Sequence, residues 1–186
     1  MKIRSILLAV VLGASLVSAP AQAATQLIVG VAYDIGGRGD KSFNDASAAG
    51  LEKAQKQFDF NLEAVVTDGT STDREKRIRS LITKKCNPIV AIGAGYAPTL
   101  QALAVEFPNT QFAIIDDESV AMTNVSNLSF ATNEGVYLAG AALALASKSG
   151  KIGFIGDKSE ASSERHLALF TKGATAGNAK VTVSSK

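Results

Sequence analysis

Four short apolar runs, at residues 27–33, 62–67, 88–92 and 111–115, are bounded by turn residues and separated by stretches with helical character. This alternation indicates an α/β fold, a parallel sheet with helices on both faces, because strands buried on two sides read as nearly continuous apolar runs. Helices are predicted over 44–58, 73–85, 97–106 and 133–146. Thr72 followed by Glu75 fits a capping box and fixes the start of the second helix. Gly50 weakens the first helix, where its lack of a side chain permits close packing on the sheet. The stretch 136–146 is apolar almost all round, which predicts a buried helix between the sheet and a junction with a further lobe. After a turn at 148–151, a strand over 152–155 opens a new unit, and a strand near 181–183 is its available partner. Two strands and one helix are marginal alone.

The first 23 residues read as a secretory signal: Lys2 and Arg4, an apolar core over 6–17, and the small-residue site Ala21-Gln-Ala23. The core is shorter than the ~20 residues a membrane span needs, so cleavage is expected rather than anchoring. Lys2 and Arg4 belong to the 19 basic residues, and without them 17 basic residues face 17 acidic ones, a formal charge of zero. Nucleic-acid binding thereby loses its electrostatic basis. Arg74, Lys76, Arg77, Arg79, Lys84 and Lys85 share a helix with Asp73 and Glu75, a pattern expected of a solvated helix face. Cys86 is the only cysteine, so no internal disulfide forms, and it is expected to pack as a small apolar residue.

The functional information concentrates at 34–45, Asp-Ile-Gly-Gly-Arg-Gly-Asp-Lys-Ser-Phe-Asn-Asp, between the first strand and the first helix. A glycine-rich turn there lets backbone approach a ligand closely, and the helix start adds unpaired N–H groups. Asp34, Asp40, Asn44 and Phe43 suit a flat, uncharged, hydroxyl-bearing molecule better than a phosphate. Carboxylates repel phosphate but accept from sugar hydroxyls and ring N–H groups, and a Phe face stacks on a planar base. Other candidates also fall at carboxyl ends of strands, where open α/β sheets bind ligands: Gly93 to Tyr96 after the third and Asp116 after the fourth. Duller roles exist. Phe43 could plug the core, and Asp34 or Asp40 could brace the turn, a role favoured for Asp40. Asp116 and Asp117 alternate faces if the strand continues, so at most one reaches the site.

The loop resembles that of the basic membrane protein (BMP) family, purine-nucleoside-binding proteins of bacterial ABC transporters. Further matches are Ile89-Val-Ala-Ile-Gly-Ala-Gly-Tyr96, Phe112-Ala-Ile-Ile-Asp-Asp117, Leu128-Ser-Phe-Ala-Thr-Asn-Glu-Gly-Val-Tyr-Leu-Ala-Gly140 and Lys151-Ile-Gly-Phe-Ile-Gly156, in the expected order. The resemblance implies a periplasmic-binding-protein-like (type I) fold: a signal over 1–23, a first ligand-binding lobe over 24–148, and the start of a truncated second lobe over 149–186. It implies that Phe43 stacks on the base, Asn44 and Asp116 read its polar edges, and Asp34 lies beside the ligand. Gly93 and Gly95 would form the floor and Tyr96 the wall. The implied partners are a purine nucleoside and a membrane permease, with no cofactor, metal or nucleic acid. Family members usually carry a cleavage-site cysteine for lipid attachment; this chain has none there, so an exported form without a lipid anchor, periplasmic or extracellular, is expected at the outer face of the cytoplasmic membrane. Half a cleft would bind weakly.

Other chemistries fit less well. Arg38-Gly39-Asp40 matches an adhesion triplet but belongs to the longer loop pattern, and Ser42 stands where a dinucleotide fingerprint needs its third glycine. His166 has no second histidine or nearby cysteine for zinc, and Asp116, Asp117 and Glu118 fall short of a calcium ligand set. No Gly-x-Ser-x-Gly elbow occurs. The alternatives to a solute-binding module are an extracytoplasmic enzyme acting on nucleosides, for which no activated nucleophile or acid–base pair stands out, and a non-functional receptor fragment.

Overall fold

The first apolar run becomes β1 (Ile28–Tyr33), whose side chains alternate between two cores. The computed structural model describes residues 26–156 and 162–186, so the signal predicted at 1–23 lies outside the described residues. Val31 and Tyr33 face a layer capped by α1 (Phe43–Phe58), while Ala32 faces a larger layer formed by α2 (Ser71–Thr83) and α3 (Ala97–Glu106). The same alternation runs through β3 (Ile89–Ile92) and β4 (Phe112–Ile115). Ile89, Ala91, Phe112 and Ile114 join Ile78, Leu81, Leu100 and Leu103 in the larger core; Val90, Ile92 and Ile115 join the smaller. With β2 (Asn61–Val66) and β5 (Val125–Leu128), these strands form a five-stranded parallel sheet in the order β2-β1-β3-β4-β5. This is the predicted α/β architecture, with helices on both faces. Cys86 packs against Gly30 of β1, in the small apolar role expected of it.

Several local expectations change. The cap of α2 is Thr70 rather than Thr72: its Oγ1 accepts from the Asp73 N–H at 3.2 Å, so the helix starts earlier than the Thr72/Glu75 pair suggests. Gly50 lies on the exposed side of α1, and a Cβ there would meet nothing within 4 Å, so close packing on the sheet is not its role. β5 was not foreseen, because its Val-Ser-Asn-Leu sequence is that of a mostly exposed edge strand without an apolar run.

The largest departure is α4 (Thr132–Ala146). Burial is predicted on all sides, yet Leu138, Leu143 and Leu145 are 64%, 48% and 73% exposed, and only Gly140 and Ala144 are buried. The main partner of α4 is α5 (Ser163–Gly177), and the two backbones meet through glycine. A Cβ on Gly173 would lie 1.9 Å from the Tyr137 carbonyl oxygen, and one on Gly140 would lie 2.1 Å from that of Phe170. Beside this pair, β6 (Lys151–Phe154) and β7 (Thr182–Ser185) form a two-stranded parallel sheet, joined through α5. The partnership expected between these two strands is therefore made. Phe154 on β6 contacts Phe170 on α5, ring centroids 5.4 Å apart.

The two classes of glycine predict opposite outcomes in urea denaturation. Gly173→Ala forces the helices apart and destabilises their unit by about 1–3 kcal/mol or more, as overpacking does. Gly50→Ala removes only the entropic penalty of glycine in a helix and stabilises by about 0.5–1 kcal/mol.

Candidate functional site

From β1 the chain proceeds to β2 on one side and then returns to β3 on the other, so the strand order reverses between β1 and β3. In open α/β sheets the crevice outside the carboxyl ends at such a reversal is where ligands bind. Two segments flank it here: the loop 34–42 after β1, and Gly93 with the short turn Ala94–Tyr96 after β3.

The first loop is held by carboxylates. Asp40 accepts from the backbone N–H groups of Ser42, Asn44 and Asp45 at 2.9, 2.9 and 3.1 Å, which caps the start of α1. These bonds, that from Asn44 foremost, hold its carboxyl below the ordinary 3.8. Asp45 accepts from Gly39 and Lys41, both at 2.8 Å. Arg38 pairs with Glu52 at 2.7 Å, so both charges of the Arg38-Gly39-Asp40 triplet are engaged within the fold. Asn44 is only 3% exposed; its Oδ1 accepts from the Asp34 N–H at 3.0 Å and its Nδ2 donates to the Ile35 carbonyl at 3.4 Å. It shapes the loop from below instead of presenting an amide to the crevice. Phe43, at the first position of α1, is half-buried against the cluster of Val31, Tyr33, Ala48 and Ile92.

Across the crevice, Gly93 has φ 106° and lies so close to Asp34 that an added Cβ would stand 2.9 Å from Asp34 Oδ2. Its N–H donates to the Ile115 carbonyl at 3.1 Å, which joins the ends of β3 and β4. The next residue, Asp116, has φ 69°, a left-handed backbone that Asp tolerates better than most side chains. Its N–H donates to Leu128 at 2.7 Å, and its side chain is exposed. Asp117 instead braces the following turn, accepting from both the N–H and the hydroxyl of Ser119 at 2.7 Å. Asp34 and Gly93 thus meet at the strand reversal, and Asp116 lies at the same sheet edge at the end of the adjacent β4. Tyr96, assigned to the pocket wall by resemblance, is instead fully enclosed: its hydroxyl donates to the Tyr33 carbonyl at 3.0 Å, and burial pushes it up to about 12.

The residue missed from sequence is Arg74. Its place in a charged helix suggested a solvated face, yet its side chain is only 12% exposed. Its Nη2 donates to Asp34 Oδ1 at 2.8 Å, its Nη1 donates to the Gly69 carbonyl at 2.9 Å, and its guanidinium stands 5.3 Å from the centre of the Tyr96 ring. The signal that could have found it is position: Arg74 begins the second turn past β2, at the same sheet edge as the other candidates. Elsewhere, a shallow depression of about 430 Å³ lies between α4 and α5, walled by Tyr137, Leu138 and Leu169. It is remote in sequence from the strand reversal. Among the described residues, no group of three or more His, Cys, Asp or Glu is disposed to hold a metal, and no helix is long and apolar enough to cross a membrane.

The lowered Asp40 carboxyl sets the sign of a pH effect. Its stabilising bonds are fully present above the ordinary 3.8 and are lost as pH falls through the lower folded-state value. Asp40→Asn should therefore lower stability at neutral pH and flatten its acid dependence, read from denaturation midpoints between pH ~2 and ~6; an unchanged acid limb would show that the loop does not depend on this carboxylate.

Residues 27–186 match the family described as ABC transporter substrate-binding protein, PnrA-like. A CD4+ T-cell-stimulating antigen of Listeria innocua is 31% identical over 157 residues, covering 81% of this chain and 43% of that protein. The ABC transporter nucleoside-binding protein BmpA of Lactococcus lactis is 31% identical over 156 residues, covering 82% of this chain and 43% of the relative. The chain thus spans less than half the length of these curated relatives. Among solved structures, an ABC transporter solute-binding protein from Aeropyrum pernix superposes with a TM-score of 0.77 at 22% identity, over 86% of this chain and 47% of that one, a likeness of fold. With the family match running from the first strand to the last residue, the chain belongs to the PnrA-like (Bmp) family of ABC transporter substrate-binding proteins.

Proposed function

We propose that this chain provides a ligand-binding lobe of an exported solute receptor, takes up purine nucleosides at the β1/β3 crevice, and presents them to a membrane permease. The observation that carries the reading is the close approach of Asp34 to Gly93 at the strand reversal, with an exposed Asp116 at the end of the adjacent β4 and Phe43 on the neighbouring helix start. The family match and the nucleoside-binding relative support it. In this reading the five-stranded sheet with α1, α2 and α3 forms the first lobe, α4, although it precedes the boundary expected at 148, packs with α5, β6 and β7 in the second, and residues 1–23 direct export.

Chemistry favours a neutral ligand. The Asp34 carboxylate is balanced by Arg74, and Asp116 adds an exposed acceptor, so hydroxyls and ring N–H groups find acceptors whereas a phosphate would face two carboxylates. A half-buried Phe43 offers one ring face or edge for a base. The protein acts by binding, in keeping with its relatives, and no bond of the ligand is broken.

Inosine or adenosine titrated into labelled protein should perturb amides at 34–45, 93–96 and 116 in NMR spectra, with no release of free base. A single stacking face holds a base by roughly 1–3 kcal/mol, so Phe43→Ala weakens binding about 5- to 150-fold. Asp116→Asn weakens it as well. Spectra unmoved by millimolar nucleoside, or free base released beyond the amount of protein, would overturn this reading.

A further inference from the structure

The geometry points to Arg74 as a positioning residue of the ligand site: it grips one oxygen of Asp34 so that the other stays over Gly93 as an acceptor for a hydroxyl or ring N–H of a neutral ligand. This rests on the nucleoside reading for the identity of the ligand, though not for the grip itself.

Three segments of the sheet edge hold the guanidinium. Nη2 reaches Asp34 Oδ1 after β1, Nη1 reaches the Gly69 carbonyl after β2, and the group lies over Tyr96 after β3. The space it fills exists only because residue 95 is glycine: a Cβ there would lie 2.5 Å from Arg74 Cζ. Nε is buried without any acceptor, an unsatisfied donor of the kind that folded proteins avoid. A residue whose sole task was to stabilise the fold would be better satisfied or apolar. What this placement achieves is specific: with Oδ1 occupied, Asp34 loses the freedom to swing toward solvent, and its Oδ2 rests against Gly93 at the strand reversal. The balancing charge also keeps the carboxylate from rejecting a ligand through desolvation, since a paired charge is less costly to cover than a lone one. Lysine could supply the charge but not the planar fork that spans a carboxylate and a carbonyl together.

The test is a double-mutant cycle read by inosine binding in NMR titrations. Arg74→Met and Gly95→Ala each raise Kd at least five-fold, and Arg74→Lys recovers only part of the loss. In an Asp34→Ala background, Arg74→Met has no further effect, because the residue acts through that carboxylate. Equal losses in both backgrounds would overturn the proposal in favour of a purely structural role. The Asp34 side-chain carboxyl ¹³C resonance is followed in the same proteins without ligand. It moves in Arg74→Met and Gly95→Ala if the grip is real, and a resonance that stays in place overturns the proposal whatever nucleoside does. If the unaltered protein ignores inosine while that resonance moves, the grip stands and the nucleoside reading falls.

Discussion

β1 is bonded to a parallel partner on each edge and covered by helices on each face, and the remaining structure follows from satisfying all four demands at once. One face must be thin, since Cys86, Ile89 and Leu81 crowd it: a Cβ on Gly30 would stand 3.0 Å from Cys86 Cβ and 3.2 Å from Ile89 and Leu81. Its strand neighbours on that face are the small Ala32 and the partly buried Ile28. The opposite face carries Val31 and Tyr33 toward α1. At the strand end, the Tyr33 carbonyl accepts the Tyr96 hydroxyl, which locks the turn after β3 to β1. The crevice between Asp34 and Gly93 is thus fixed from beneath by the core.

Elements with strong apolar signatures were legible in the sequence, and those defined by partners were not. β1, β3 and β4 announce themselves because both of their faces are buried. α3 follows its predicted span closely, since Ala97 and Pro98 begin it and Phe107 ends it. β5 was silent because a polar edge strand owes its existence to hydrogen bonds with β4 and not to its own side chains. At the site, the glycine-rich loop and its acids were legible from composition and place. Asn44 and Tyr96 were named as ligand groups, yet both are turned inward, and orientation depends on contacts 10 and 63 residues away in the chain. Arg74 was hidden for a similar reason, since its partner Asp34 lies 40 residues earlier and i,i+4 pairs with acids suit an arginine on this helix equally well.

The unit of α4, α5, β6 and β7 obeys a different rule from the five-stranded sheet. Its helices approach through Gly140, Gly173 and Gly177, so contact is made by backbone where the sheet layers use interlocked Ile and Leu. An apolar sequence therefore did not imply burial: the glycine and alanine stripe of α4 is spent on α5, and the leucines of its other face are left at the surface. A periodicity argument sees the whole hydrophobic helix and cannot tell which stripe has a neighbour.

The position of β1 also bears on the order of assembly. The earliest strand among the described residues lies in the interior of the sheet, and its two neighbours lie at 61–66 and 89–92. No shorter stretch can close both of its ladders, so some sixty residues beyond it must be present before it is flanked on each edge. A topology that places its earliest described strand innermost makes assembly wait on long-range closure rather than on a local hairpin.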